Sequence, residues 1–375
     1  MTERELREIK RRFRPERSNI PRIVGCFVNG NKQIIHRISQ PLGLEESSVN
    51  EMLLGTMKKA LSGSLGTNLT EVSFSTKEVS EGEEHAILMA LRKSELKDSE
   101  TLEKFYNRVI EAVSLEGNYV ILLANDVYDV PSRHSDDEGG YSDTQFSYIV
   151  CAVCPLKDSP EALSFREADS LFHTATTMAL LASPEIGFMF PCFDDRASNI
   201  YGALYYTRSV AEKYPPFTEK VFGKSAPMPP KTQKATFSEI VSETLGEECD
   251  FNLVRSLNAQ VAEMVEAHKE SKDPEPLVIT KSVARDLLAG CGVAEEKIEK
   301  FGEAFDEGFG KNATLTPKNI ISTSKFELEM PEVKIKVSPE HRDAISTQTI
   351  NGQKYVMIKV TGAVEVNGIN ISIEE

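Results

Sequence analysis

Residues 22–36 read RIVGCFVNGNKQIIH, and this pattern is the strongest local signal for a β-hairpin in the chain. Two apolar runs, at 23–28 and 33–36, flank the pair Asn29-Gly30. Asn-Gly favours a tight turn because both of its central residues accept the positive φ that such a turn requires. The stretch therefore predicts two antiparallel strands, running from Arg22 to about Ile38.

Helices and further strands are expected on the C-terminal side of this hairpin. Helical periodicity predicts helices at 45–61, 83–92 and 99–113, with a short strand at 72–75. The continuous apolar run YVILLA at 119–124 is typical of a central strand. Residues 131–145 are expected to form a loop, strands follow near 146–154 and 188–193, and 201–207 is either strand or helix.

Residues 172–193 form the one stretch that is long and apolar enough to be tested as a membrane span. Ser183-Pro184-Glu185 lies in its middle, where a proline and a charge are costly inside a bilayer. The stretch is instead predicted to be a helix that ends near Ala182, followed by a buried strand. The charged start MTERELREIKRRF contains no secretory signal, so we expect a cytoplasmic protein.

The character of the sequence changes after the proline-rich segment at 214–230. Helices are predicted at 236–245, 250–271, 281–289 and 295–307. In the second, one apolar seam is expected to face its own domain or a second copy of the chain. Its members are Val254, Leu257, Val261, Met264 and His268.

Beyond Lys325 the apolar period becomes two, which predicts a small antiparallel sheet with turns at Asn351-Gly352 and Asn367-Gly368. We therefore predict an α+β (mixed α/β) fold with three parts. An α/β domain with a basic N-terminal arm occupies 1–215, a helical segment occupies 232–320, and a β module occupies 321–375.

Composition and motifs argue against most enzyme classes. The 375 residues carry a net charge of −15, which disfavours nucleic-acid binding over the whole surface but leaves room for a local basic patch. The six cysteines lack the second pair that a zinc site needs, and they are expected to be reduced core residues. Near matches to phosphate-binding, dinucleotide-binding and nucleophile-elbow motifs each lack a required glycine. No cofactor is implied, and the sequence leans away from catalysis.

One polar cluster directly follows a predicted buried strand, where binding sites are often built. Three interpretations remain open for it: a structural turn, a contact for a ligand or partner, and a magnesium-assisted hydrolase that uses Asp194 and Asp195. The candidate residues are Asp194, Asp195, Arg196, Asn199, Tyr205 and Arg208.

The N-terminal arm, residues 1–22, is the second candidate. It carries a local charge of +4, which leaves −19 on the remainder. Such asymmetry is typical of an arm that binds nucleic acid or an anionic membrane, or that docks on its own acidic body or on that of a twin subunit. The candidate contacts to DNA are Arg7, Lys10, Arg11, Arg12, Arg14 and Arg17.

Four segments together resemble a bacterial family of soluble proteins whose domain has no known function, found mainly in anaerobic Gram-positive bacteria. They are GCFVNGNK (25–32), FDDRASNIYGALYYTR (193–208), HKESKDPEPLVI (268–279) and YVMIKV (355–360). The resemblance runs the full length and implies no activity. A weaker likeness, in the order of elements and in KFELEMPEVKIKV (325–337), is to bacterial nucleoid-associated proteins, which implies an association with DNA.

These observations favour a non-catalytic interaction protein that binds an unidentified protein partner or itself. Its contact surface is expected to be the 194–208 cluster or the basic arm. The alternatives are a nucleoid-associated protein that contacts DNA through the arm and a metal-assisted hydrolase.

Overall fold

The computed structural model describes residues 1–43, 47–131, 145–159, 162–174, 178–210, 212, 214–271, 273, 276–311, 313–321, 326–360, 362–366 and 369–371. These residues form two compact units. One comprises Met1–Pro229, and the other comprises Pro230–Asp273 and the chain from Leu277 onward. Each unit combines helices with antiparallel strands, so the predicted α+β class is confirmed.

The first unit is built on one antiparallel sheet, with strands in the order β2-β1-β4-β5-β9-β12-β3, and β8 pairs with the end of β5. Two further hairpins, β6–β7 and β10–β11, form separate two-stranded sheets. The strands are β1 (Arg22–Val28), β2 (Ile34–Pro41), β3 (Leu69–Ser73), β4 (Tyr119–Asp129), β5 (Gln145–Asp158), β6 (Leu163–Arg166), β7 (Leu171–Thr174), β8 (Ala179–Leu181), β9 (Ile186–Phe190), β10 (Cys192–Asp194), β11 (Ala197–Asn199) and β12 (Gly202–Thr207).

Helices cover both faces of this sheet. They are α1 (Glu3–Lys10), α2 (Ser47–Lys59), α3 (Thr76–Glu81), α4 (Glu83–Lys93), α5 (Ser99–Ala112) and α6 (Pro215–Phe222). Side chains of α4, α5 and α6 form one core with one face of the sheet, and side chains of α1 and α2 form a second core with the other. In a strand that is exposed on one face, apolar and polar residues alternate. Both faces of β4 are buried, so its residues are apolar without interruption over the YVILLA run. Cys151 and Cys154 lie in opposite cores for the same reason.

The second unit contains a helical core and three separate two-stranded hairpins. Its helices are α7 (Pro230–Leu245), α8 (Phe251–Ser271), α9 (Lys281–Gly290), α10 (Glu295–Phe309) and α11 (Pro317–Ile320), with 3₁₀ turns at Gly246–Glu248 and Pro339–Ala344. The hairpin strands are β13 (Phe326–Met330) with β14 (Val333–Val337), β15 (Ile345–Ile350) with β16 (Gln353–Ile358), and β17 (Val364–Val366) with β18 (Ile369–Ile371). No helix in the described parts of the chain has the length and apolar character needed to cross a bilayer.

One predicted helix is wrong, and the buried face of a second, correctly predicted helix differs in part from the prediction. The helix expected to end near Ala182 is replaced by the short strands β7 and β8, most of whose side chains are exposed. The apolar seam of α8 differs from the predicted one, because the buried residues of the helix follow one another at a constant spacing of four. Those residues are Leu253, Leu257, Val261 and Val265. Val254, a predicted member of the seam, is 37% exposed.

The turns differ in how well local sequence predicts them. Asn351-Gly352 forms the two-residue turn that was predicted, with φ of 50° and 80°. The loop at Asn29-Gly30 is longer than the predicted two-residue turn, since Val28 pairs with Ile34. Its residue with positive φ is Lys32, at 60°. The side-chain oxygen of Asn29 accepts hydrogen bonds from the backbone N–H groups of Asn31 and Gln33 and so stabilises this wider loop. The 201–207 segment is a strand, while 132–144 and the turn at 367–368 lie outside the described residues.

Candidate functional site

The centre of the 194–208 cluster is a tight turn between β10 and β11. Asp194 pairs with Ala197, so Asp195 and Arg196 are the two residues of the turn, and their φ angles are 46° and 59°. Two-residue hairpin turns of this kind normally contain Asn or Gly, because positive φ strains other side chains. A strained turn persists only where surrounding contacts hold it in place.

Arg196 makes those contacts with the N-terminal helix. Its backbone N–H lies 3.2 Å from Oε1 of Glu5, and its Nη1 donates to the Glu8 carboxylate at 2.8 and 3.1 Å. Its Nη2 donates to the backbone oxygen of Pro131 at 2.8 Å. Arg196 and Glu8 each have 21% of their side chain exposed, so the pair is only partly screened by water. The turn is therefore anchored to α1, and Arg196 is engaged within the unit.

The other candidates of the cluster do not converge on one site. Tyr205 is 1% exposed and stacks on Phe217 at a centroid distance of 5.8 Å, so its ring belongs to the core. Arg208 follows the opposite end of β12 and donates to Glu185 Oε1 at 2.7 Å. Asn199 uses its side-chain oxygen to accept from the backbone N–H of Tyr201.

The two acidic residues of the turn face different surroundings. Asp194 lies with its Oδ1 3.1 Å from the amino group of Met1, and Asp195 is exposed at the tip. Within the described parts of the chain, no group of three His, Cys, Asp or Glu side chains is arranged to hold a metal ion. Burial raises the pKa of the Cys26 and Cys154 thiols to about 12, which disfavours the thiolate form that nucleophilic chemistry needs.

The basic arm is docked on the sheet. Thr2 and Glu5 form a capping box at the start of α1, and each accepts a hydrogen bond from the backbone N–H of the other. On the inward face of the arm, Leu6 and Ile9 are fully buried, and Phe13 is 3% exposed. Burial of three such side chains stabilises the docked state by roughly 5 kcal/mol or more, at about 1.5–3 kcal/mol each.

A buried ion pair anchors the arm just beyond the end of α1. Arg12 donates from Nε and Nη2 to the two carboxylate oxygens of Asp126 at 3.0 and 3.3 Å, and Asp126 is 1% exposed. The guanidinium also lies over the ring of Tyr128, 5.1 Å from its centroid. The hydroxyl of Tyr148 donates to the same carboxylate at 2.8 Å. Burial, reinforced by the negative charge of Asp126, raises the pKa of Tyr148 well above its ordinary value. Arg12 is thus a structural residue of this arm.

The remaining basic side chains of the arm point outward. We call the exposed arginines that precede β1 the basic arm surface, and its members are Arg4, Arg7, Arg11, Arg14 and Arg17. No carboxylate among the described residues lies within ion-pair distance of any of them. Lys10 is half-buried beside them; burial lowers its pKa, and nearby Lys58 of α2 adds to this effect while Glu3 opposes it. The structure thus separates Arg12, which is engaged internally, from arginines that remain available to a partner.

Sequence reasoning missed the acidic partners that position the arm. Asp126 lies two residues after the apolar YVILLA run, in the same buried strand, and a carboxylate at that position was the available signal that it has a cation partner. Glu8 gave no such signal, because its partner Arg196 lies 188 residues away in the sequence.

The comparison with curated proteins yields no match to this chain. The predicted resemblance to a family without known function is confirmed, because the model of that family spans both compact units. The chain therefore belongs to the family defined by the domain of unknown function DUF4317, whose model matches residues 1–369.

Proposed function

We propose that this chain is a non-catalytic binding protein that contacts double-stranded DNA through its basic arm surface. The single observation that supports this proposal is the exposure of five arginines, without carboxylate partners among the described residues, on an arm whose opposite face is buried. Arginine side chains in this state are suited to phosphate oxygens, because the guanidinium donates bidentate, charge-assisted hydrogen bonds.

Rigid docking of the arm favours binding. Arg4, Arg7 and Arg11 are spaced by three and four residues, so they lie along one face of α1 and the turn that follows it. Because the helix backbone is already ordered by its buried face, the conformational cost of binding is limited to the ordering of side chains. A disordered basic tail would also have to pay for the ordering of its backbone.

The charge of the rest of the chain limits where DNA is able to bind. Outside the arm the net charge is −19, which repels a phosphate backbone. Contacts should therefore be few, restricted to the arm, and independent of base sequence, because arginine–phosphate contacts carry no direct sequence information. Weak, strongly salt-dependent binding is the expected signature.

The test is fluorescence anisotropy with a mixed-sequence duplex, measured on the full chain between about 50 and 200 mM salt. The double variant Arg7→Ala/Arg11→Ala should lower the slope of log affinity against log salt by about 2 and weaken binding roughly 60-fold at ~0.1 M salt. The matched control is Lys77→Ala/Lys93→Ala, which removes two exposed cations from α3 and α4. This control should retain nearly all of the binding.

Either of two results in the DNA titration would contradict the proposal. One is the absence of salt-dependent binding by the parent chain at any concentration in the titration. The other is an equal loss in the arm variant and in the lysine control, which would indicate a general effect of net charge. Binding to anionic vesicles without binding to DNA would likewise overturn it and assign the arm to a membrane surface.

A further inference from the structure

Arg92, in the last turn of α4, is a half-buried cation whose hydrogen-bond partners are neutral. Its Nε donates to the backbone oxygen of Ser147 at 2.7 Å, and its Nη2 donates to the Ser198 hydroxyl at 3.1 Å. In the described parts of the chain, no carboxylate pairs with this guanidinium. Burial lowers the pKa of Arg92, whereas hydrogen bonds to Glu103 raise the pKa of Arg37. Arg92 thus differs from the arginines of this unit that are engaged with acids.

The position of Arg92 is unfavourable unless an anion compensates its charge. Moving a guanidinium partly out of water weakens its hydration, and neutral oxygens replace only part of what is lost. The dipole at the C-terminal end of α4 favours a cation there, but this effect is small and is screened by salt. An arginine side chain carries five N–H donors. Two are used here, so the others remain for a ligand.

Two serine hydroxyls lie beside the guanidinium. Ser198 belongs to β11, and its Oγ accepts the hydrogen bond from Arg92. Ser147 lies near the start of β5. Because Ile149 packs in the core that α4 covers, alternation along the strand directs the Ser147 side chain to the same face. The Ser147 Oγ accepts from Nδ2 of buried Asn125 at 3.4 Å. Neither hydroxyl proton has an acceptor among the described residues, so donors from α4, β5 and β11 are grouped with no acid among them.

We propose that Arg92, Ser147 and Ser198 form a binding site for a phosphate group, carried either by the free ion or by a small phosphomonoester. The planar guanidinium matches two oxygens of a phosphate and donates charge-assisted hydrogen bonds to them. A carboxylate commits both of its oxygens to such a contact, whereas a phosphate keeps further oxygens for the two hydroxyls. Each of the three side chains is half-buried, so a small anion is able to reach them from solvent.

This site is separate from the basic arm surface. Apolar side chains of α4 pack in the core on one face of the sheet, whereas those of α1 pack in the core on the other face. Phosphate bound at Arg92 therefore leaves the arginines of the arm unoccupied, and this site does not depend on the proposed DNA contact.

Isothermal titration calorimetry of the full chain with inorganic phosphate, at a constant ionic strength of about 0.15 M, tests the proposal. The parent chain should bind phosphate at a single site. Arg92→Met should weaken binding roughly 100-fold, because it removes charge-assisted hydrogen bonds. Ser147→Ala and, separately, Ser198→Ala should each weaken it roughly tenfold, as expected for one hydrogen bond to a charged group.

Two further ligands define what the site recognises. Acetate should bind at least about tenfold more weakly than phosphate, since it lacks oxygens for the hydroxyls. Methyl phosphate distinguishes the two sources of the phosphate group. Tighter binding than that of phosphate assigns the site to a phosphomonoester, and weaker binding assigns it to the free ion.

Two controls separate this site from general effects of charge. Lys93→Ala removes the exposed cation next to Arg92, and Arg7→Ala/Arg11→Ala removes two arginines of the arm. Both should bind phosphate as the parent chain does. The arm variant is also the one used with DNA, so the failure of one proposal is distinguishable from the failure of the other.

Melting curves distinguish a ligand site from an arginine that only joins β5 to β11. Phosphate should raise the melting temperature of the parent chain as the site fills, and it should leave that of Arg92→Met unchanged. Absence of phosphate binding by the parent, or equal binding by the parent and all three site variants, overturns the proposal. Equal affinity for phosphate and acetate overturns it in favour of unspecific anion binding. The serine variants each remove a single hydroxyl, so they decide the question even if Arg92→Met fails to fold.

Discussion

The ion pair between Arg12 and Asp126 makes the strongest quantitative prediction about the arm. Asp126 is 1% exposed and accepts hydrogen bonds from Arg12, from the Tyr148 hydroxyl and from the backbone N–H of Asn19. Replacing Arg12 by Ala leaves a buried carboxylate without the cation that pairs with it. Breaking a buried pair in this way costs about 3–5 kcal/mol, far more than the ~0–1 kcal/mol of an exposed pair.

Native-state hydrogen exchange of the α1 peptide measures this loss directly. Since each 1.4 kcal/mol corresponds to a tenfold change, a loss of about 3 kcal/mol should speed exchange in α1 by roughly 150-fold, up to the limit set by unfolding of the whole unit. Asp126→Ala should act similarly, because it removes the acceptor of Tyr148 and leaves Arg12 half-buried. The exposed pair of Arg208 with Glu185 supplies the control, and Arg208→Ala should leave α1 unchanged.

The double variant Arg12→Ala/Asp126→Ala shows whether the two residues stabilise the docked arm as a pair or independently of each other. If the pair holds the arm, the double variant should exchange about as fast as either single variant, giving a coupling free energy near 3 kcal/mol. Single effects that simply add, or unchanged α1 protection in Arg12→Ala, would refute the reasoning.

Three further predictions concern the first unit and the cysteines. Gly25→Ala should destabilise by about 3 kcal/mol or more in thermal unfolding, because a Cβ there collides with the Ile121 carbonyl oxygen, whereas Gly30→Ala, with its nearest neighbour at 3.7 Å, should be tolerated. Burial lowers the pKa of His85 from its ordinary 6.5, so the stability that depends on its neutral form should be full above pH 6.5 and fall as the pH drops below it; His85→Leu should flatten that slope in melting curves. Thiol labelling of the native chain should be fast at Cys249 and Cys291, which are half-exposed, and slow at the four buried cysteines until the chain is unfolded.

Local sequence predicts those elements whose chemistry is itself local. The turn at Asn351-Gly352 forms as expected because its positive φ angles are met by the two residues themselves. The strand at Tyr119–Ala124 is recognisable because a strand covered on both faces has no polar positions. The order of strands in the sheet is not accessible in this way, since β3 pairs with β12 more than a hundred residues later.

Local sequence fails where distant contacts determine the structure. Asp195-Arg196 has no glycine or asparagine, yet it forms a two-residue turn because Glu5 and Glu8 hold Arg196 from the far end of the chain. The predicted helix ending near Ala182 fails for a different reason. An apolar run is ordinarily buried, and the run at 171–181 resembles a core helix although its strands are exposed.

The spacing of charges on the arm explains how one short helix both packs on the sheet and keeps several arginines exposed. Positions 5, 8 and 12 are spaced by three and four residues, and their side chains contact Arg196, Tyr128 and Asp126 of the body. Positions 4, 7 and 11 repeat this spacing one residue earlier, which turns them about 100° around the helix, toward solvent. The rest of the chain is acidic and would be expected to attract those arginines. The side chains that contact α1 include the cation Arg196, however, and Arg196 pairs with glutamate rather than with arginine. Arg196 therefore accounts for the inward orientation of Glu5 and Glu8, whereas Arg12 faces the body because Asp126 lies there. Arg196→Glu should therefore do more than release the turn. By repelling Glu8 it should loosen α1 and disorder the basic arm surface, so that the DNA contact proposed above should weaken in the anisotropy titration although no arginine of that surface is removed.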